Sequence, residues 1–196
     1  PKSPQQSIDE MVLAADTAME TGDPRSGYTG YGTAVSLSPE DSGLWTKLSR
    51  AALATRPNDN EAYFLQQAAT SAALNGYLTS RTTNSRADAL VALAQALDKR
   101  GEGRPAINAY KASLELRADK TVEVAYKDLR ARKGFRVTDN SVDTASETPR
   151  VCVQFSESLA EADYASFMLV DDAAPKSVTK EDQQLCADGL EYGKRY

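Results

Sequence analysis

Residues 87–118 read ADALVALAQALDKRGEGRPAINAYKASLELRA. In the first half Leu90, Leu93, Ala94 and Leu97 recur at helical spacing; in the second Ala106, Tyr110 and Ser113 do the same, and Gly101 separates the two runs. This order of large and small residues is what a packed helical hairpin needs. Ala94 and Ala106 let the two helices approach, while Leu90, Leu97 and Tyr110 fill the space between one hairpin and the next.

The same grammar recurs upstream. Residues 8–41 carry Met11, Ala14, Ala15 and Ala18 and then Gly27, Tyr31, Ala34 and Pro39; a step of about 34 residues from Met11 lands on Trp45, with Leu48, Ser49 and Ala52 in phase. The pattern resembles the tetratricopeptide repeat, in which each unit is a pair of helices and neighbouring units stack into a continuous core. Ala118 stands where that pattern has Pro. The middle unit holds about 11 residues more than the period allows, which predicts a longer second helix and a long loop over 80–85.

Apolar spacing and stop residues predict helices over 8–19 (closed by Gly22, Asp23 and Pro24), 26–37, 42–55, 60–79, 86–99, 104–117 and 120–132. Leu44, Trp45, Leu48, Ala52 and Leu53 form the apolar face of the third. In the last, the stripe Val122, Ala125, Tyr126 and Leu129 is suited to cover the final repeat. The pattern residues are the buried ones, so they identify no ligand. A spacer or platform is the first reading of this region, and a peptide held in its concave groove the second.

The chain has 196 residues, 41% of them hydrophobic and 26% charged, the composition of a globular protein with room for one large or two small domains. No apolar run approaches the roughly 20 residues of a membrane span. There is no His, the side chain that most often serves as general base and zinc ligand, so an enzyme is not expected, nor a metal or other cofactor. The net charge of -5 is unevenly placed: residues 1–132 carry 16 Lys or Arg against 16 Asp or Glu, and residues 133–196 carry 7 against 12. Such a surface gives nucleic-acid binding little support, and the basic stretch 117–136, interrupted by Asp119, Glu123 and Asp128, reads as a solvated helix face.

Composition changes along the chain. Ala falls from 23 residues in the first 131 to 7 in the last 65, while Val goes from 5 to 6. Helix formers give way to strand formers, which sets the domains at 1–133, helical, and 134–196, β. Strands are predicted over 135–138, 151–155, 164–170, 176–180 and 184–187, separated by Asp171-Asp172, Pro175 and Asp188-Gly189, and strands so short and so spaced suggest an immunoglobulin-like antiparallel sandwich. Leu190 to Tyr196, LEYGKRY, looks like the turn before a tyrosine corner. Cys152 and Cys186 fall in this β region, as a disulfide if the compartment is oxidising or as two buried thiols if it is not. The polar opening Pro1-Lys2-Ser3-Pro4 and a stop at Tyr196 in mid-pattern read as the ends of a piece of a longer protein, so the lack of a targeting segment says nothing about location.

The stretch LRARKGFRVTDNSVDTASETPRVCVQFSESLAEADYASFMLV, residues 129–170, followed by QLCADGLEYGKRY, residues 184–196, resembles the N-terminal region of bacterial alpha-2-macroglobulin family proteins. The resemblance implies a large secreted protein of the periplasm or cell envelope that traps proteases, with the remaining domains of the same chain and the trapped proteases as partners. This segment would be its scaffold, stopping inside the first immunoglobulin-like or macroglobulin-type domain. The family thioester motif, Cys-x-Glu-Gln, is not here: Cys152 is followed by Val153-Gln154-Phe155 and Cys186 by Ala187-Asp188-Gly189. Both are therefore read as a structural disulfide pair. The alternative is a tetratricopeptide-like periplasmic adaptor that binds a peptide or protein.

Other constellations are weaker. Asp9-Glu10, Glu40-Asp41, Asp171-Asp172 and Glu181-Asp182 are paired carboxylates, but adjacent side chains on a helix or strand point apart and no third ligand is near; Glu40-Asp41-Ser42 most simply starts a helix. The glycines of Gly27 to Gly32 suit a phosphate loop, yet no strand precedes them and no Lys follows. Serines without His or a Gly-x-Ser-x-Gly context do not support a hydrolase, although a Ser-Lys pair stays open. Trp45 lies on a helix stripe and reads as core.

Overall fold

The computed structural model describes residues 4–143, 149–167 and 177–193. The chain divides into two compact units between Lys133 and Gly134. The first contains α1 (Pro4–Glu20), α2 (Pro24–Leu37), α3 (Ser42–Ala54), α4 (Ala62–Thr79), α5 (Thr83–Lys99), α6 (Gly103–Leu116) and α7 (Lys120–Lys133). They form three hairpins, α1/α2, α3/α4 and α5/α6, with α7 packed on α6 and α3 also lying beside α5.

The helix ends are written locally. Asp23 caps α2 by accepting from the Ser26 amide at 3.1 Å, with Pro24 at the first helical position. Of the Glu40-Asp41 pair, Asp41 caps α3 through the Gly43 and Leu44 amides at 2.8 and 3.2 Å, and Glu40 accepts from the Ser38 hydroxyl at 2.8 Å. Gly22 and Gly101 take the left-handed backbone, φ 84° and 86°, at the ends of α1 and α5. The glycines of residues 27–32 lie inside α2, not in a loop. A Cβ on Gly30 would come within 2.9 Å of Ala15 Cβ, so α1 and α2 touch almost backbone to backbone there.

Burial follows the repeat. Ala15, Tyr31 and Ala34 of the first hairpin, Ser49 and Ala52 of the second, and Leu90, Ala94, Ala106, Tyr110 and Ser113 of the third are all buried. Ser113 Oγ donates to the Ala87 carbonyl at 3.0 Å and ties α6 to α5. Val122 and Leu129 of α7 complete the core of the last hairpin, together with the partly buried Ala125 and Tyr126. Trp45 is only half-buried; its Nε1 donates to the Pro39 carbonyl at 2.7 Å. The surplus residues of the middle repeat are in part where the sequence placed them, in a longer second helix, but not in the 80–85 loop. Thr82 and Ser85 form a reciprocal capping box, so α5 begins at Thr83 and the predicted 80–85 loop shrinks to three residues. The extra length lies in the connection 55–61 and in α4, 18 residues against 14 in α2 and α6.

The described residues of the second unit form an antiparallel sheet of four strands in the order β1-β2-β4-β3: β1 (Val137–Asp143), β2 (Arg150–Phe155), β3 (Ser177–Glu181) and β4 (Gln184–Asp188). β1 is an exposed edge, held by Arg150 to Asp143 at 3.1 Å and by the stacking of Phe135 on Phe155. The expected two-layered sandwich is not found among the described residues, which hold one sheet. Residues 164–167, predicted as the start of a strand, form a single 3-10 turn. The rest of that strand, 168–170, lies outside the described residues, as do Asp171-Asp172 and Pro175. Glu181-Asp182 sits at the β3–β4 turn, where Asp182 adopts φ 48°. Residues 194–196 of the expected tyrosine corner also lie outside the described residues.

Candidate functional site

Cys152 and Cys186 face each other in the β2–β4 register and their sulfurs are bonded, with Cα atoms 4.0 Å apart. This is a buried staple in the β unit, with no reactive thiol. Among the described residues no group of three His, Cys, Asp or Glu could hold a metal, and no helix is long and apolar enough to cross a membrane.

In the helical unit the first helices of the hairpins leave a cleft between α1 and α3 of about 400 Å³. Ile8, Val12, Leu13 and Leu44 give it an apolar floor and rim; Asp9, Asp16, Asp41 and Lys47 line it with charge. Leu13 is 67% exposed, an uncovered aliphatic side chain at the mouth. The helical period puts Asp9, Leu13 and Asp16 on one face of α1, and α3 presents Lys47 to them.

One polar network fixes the cleft wall. Asp16 accepts from Lys47 Nζ at 2.7 and 2.8 Å and from the Tyr31 hydroxyl, and Lys47 also lies over the Tyr31 ring, 5.7 Å from its centroid. Burial pushes the Asp16 carboxyl upward, but hydrogen bonds from Lys47 and Tyr31 and the ammonium charge outweigh it and hold the group below its usual range. Burial and the hydrogen bond to Asp16 push the Tyr31 phenol well above its ordinary value. The wall is thus an ionised carboxylate with its charge largely answered by Lys47, while Asp41 is engaged as a helix cap. Asp16 and Lys47 escaped the sequence reading, because they are 31 residues apart on different hairpins. The signal that was available is that spacing, one repeat less one helical turn, between opposite charges.

The sequence matches no family model and no curated relative. Solved structures do match. The helical fold is similar to the TPR domain of Arabidopsis OM64 (TM-score 0.55, 18% identity, 66% of this chain and 98% of that one). It is also similar to the Sgt2 TPR domain from Aspergillus fumigatus (TM-score 0.56, 16% identity, 75% and 97%). A third match is the Yersinia enterocolitica type III secretion chaperone SycD, solved in complex with a peptide of the translocator YopD (TM-score 0.52, 14% identity, 65% and 95%). The chain therefore has a tetratricopeptide-like stack of helical hairpins joined to a small antiparallel sheet.

These comparisons overturn the resemblance to alpha-2-macroglobulin family proteins. The matching structures just named include tetratricopeptide domains, and none of those named is a macroglobulin. Of the stretch that carried the resemblance, residues 129–133 belong to α7, and the described remainder supplies β1, β2 and β4 of the sheet and a 3-10 turn. The protease-inhibitor reading and trapped proteases as partners fall with it.

Proposed function

We propose that the chain is a protein-interaction adaptor whose helical unit docks a segment of a partner protein in the α1/α3 cleft. The observation that carries the reading is an apolar floor and an uncovered Leu13 in a cleft whose lining also holds Asp9, Asp16, Asp41 and Lys47. That chemistry suits a peptide with an aliphatic or aromatic anchor beside a Lys or Arg: the anchor buries against Leu13 and Leu44, and the cation approaches Asp9 and Asp16. The likeness to SycD, whose solved structure contains a peptide, supports the mode without naming the ligand. The β unit, stapled by Cys152–Cys186, suits an oxidising compartment such as a periplasm or cell envelope. No catalytic step belongs to this reading.

Peptide display against the 196-residue chain tests it. Enriched sequences are expected to place an apolar residue next to a basic one, and Leu13→Asp is expected to weaken their binding by at least about tenfold, 1.4 kcal/mol. Enriched peptides that bind the Leu13→Asp variant as well as the parent chain would place the site elsewhere.

A further inference from the structure

Helix α4 contains no Asp, Glu, Lys or Arg in its 18 residues, AYFLQQAATSAALNGYLT. Leu65, Ala69, Ala72, Ala73 and Gly76 are its buried side. The opposite side is apolar too: Tyr63, Phe64, Leu74 and Leu78 are 63, 69, 46 and 67% exposed. At 3.6 residues per turn, Tyr63, Leu74, Gln67, Leu78, Ser71 and Phe64 fall within an arc of about 100°, a stripe about 22 Å long. The equivalent second helices do not share it. α2 exposes Arg25, Thr29 and Thr33, and α6 exposes Arg104, Asn108 and Lys111. Stacking of hairpins therefore does not require an apolar outer face, and α4 has one for another reason.

The stripe is ready to lose its water. Gln67, its one large polar side chain, is already engaged: its amide nitrogen donates to the Tyr63 hydroxyl at 2.9 Å and its oxygen accepts from Arg100 at 2.9 Å. Tyr63 and Phe64 meet edge to face, 5.8 Å between centroids, as one aromatic knob at the start of the helix.

We infer that this face binds the same face of a second copy of the chain, antiparallel about a two-fold axis near Ser71. Three observations select a second copy. The stripe is bulky at both ends and small in the middle, so reversal about Ser71 sets Phe64 against Leu78 of the other copy and Gln67 against its Leu74. No charge lies on α4 for the axis to bring against itself, and residues 1–133 are close to neutral, with 17 Lys or Arg against 16 Asp or Glu. The area also suits: the four apolar side chains offer on the order of 450 Å² per copy. Ser71 at the axis and the flanking Ala62 and Asn75 bring the total to the lower end of specific interfaces, about 1,200 Å², so the dimer is weak and concentration-dependent.

Sedimentation of the 196-residue chain from about 1 to about 200 μM, a span centred on micromolar affinity, tests this. The parent chain is expected to pass from monomer to dimer. Phe64→Glu and Leu78→Lys are each expected to stay monomeric throughout, with unchanged circular dichroism because both sites are exposed. The double variant, in which each new carboxylate faces a new ammonium across the axis, is expected to recover the dimer. Ser71→Cys is expected to give a disulfide-linked dimer on oxidation. A parent chain monomeric at every concentration, single variants that dimerise like the parent, or a double variant that stays monomeric would overturn the inference.

Discussion

Gly30 and Gly32 sit two residues apart on α2 and have opposite consequences. Gly is worse than Ala in a helix interior by about 1 kcal/mol, so replacing either gains that amount if the methyl group has room. At Gly32 the nearest atom to an added Cβ is Leu48 Cδ1 at 3.9 Å, an ordinary contact. At Gly30 it is Ala15 Cβ at 2.9 Å, and Ala15, which is 2% exposed, has no longer side chain to swing away. Gly32→Ala is therefore expected to stabilise the chain by about 1 kcal/mol. Gly30→Ala is expected to destabilise it by about 1–2 kcal/mol, since relieving the overlap pushes α1 and α2 apart. Urea unfolding followed through Trp45 measures both, and equal effects would mean that α1 and α2 are not in contact at this point. The spacing of Gly27 to Gly32 could be read from the sequence; that it serves helix approach inside α2, and not an anion, depends on Ala15 in another helix.

At the scale of the element, the chain states its helices well and some of their ends poorly. The stripe Leu90, Ala94 and Leu97 and the partner stripe Ala106, Tyr110 and Ser113 locate α5 and α6, because burial repeats with the helical period. The start of α5 was hidden by composition: Thr82, Thr83, Asn84 and Ser85 are poor helix formers and look like loop, yet Thr82 and Ser85 exchange side-chain and backbone bonds that begin the helix. Thr82→Ala removes the acceptor of the Ser85 amide, at 3.0 Å, and is expected to cost about 1 kcal/mol. Amide hydrogen exchange checks it locally, through faster exchange at Ser85 and Arg86 than in the centre of α5. Three strands lie within a residue of where the alternating pattern put them: β2 for 151–155, β3 for 176–180 and β4 for 184–187. A stretch such as Tyr164-Ala165-Ser166-Phe167 has strand-forming residues but forms a 3-10 turn, because four residues do not carry enough period to decide. The candidate cleft was the least legible feature, since Asp16, Tyr31 and Lys47 come from three helices and meet only when the hairpins stack.

At the scale of the whole molecule, the change from helical to alternating period after Gly134 coincides with the division into two compact units. They are held together by different means. Among the described residues the helical unit has clusters of buried apolar side chains spread through its hairpins. The described residues of the β unit form one sheet with an exposed edge strand and little layered core, the situation in which a small unit depends on a staple. Cys152 and Cys186 join its two central strands across a sequence separation of 34 residues, a loop for which the chain-entropy model gives about 3–4 kcal/mol. Trp45, the single tryptophan, lies in α3 and reports on the helical unit alone. Reduction is therefore expected to leave the Trp45 unfolding transition where it was, while amides of residues 150–155 and 184–188 lose their protection against hydrogen exchange. Mass spectrometry after alkylation of unreduced, unfolded chain supplies the control, since two alkylated thiols would mean that no bond was present to remove. Loss of both signals on reduction would mean instead that the hairpin stack leans on the sheet for its stability, and that the two units unfold as one.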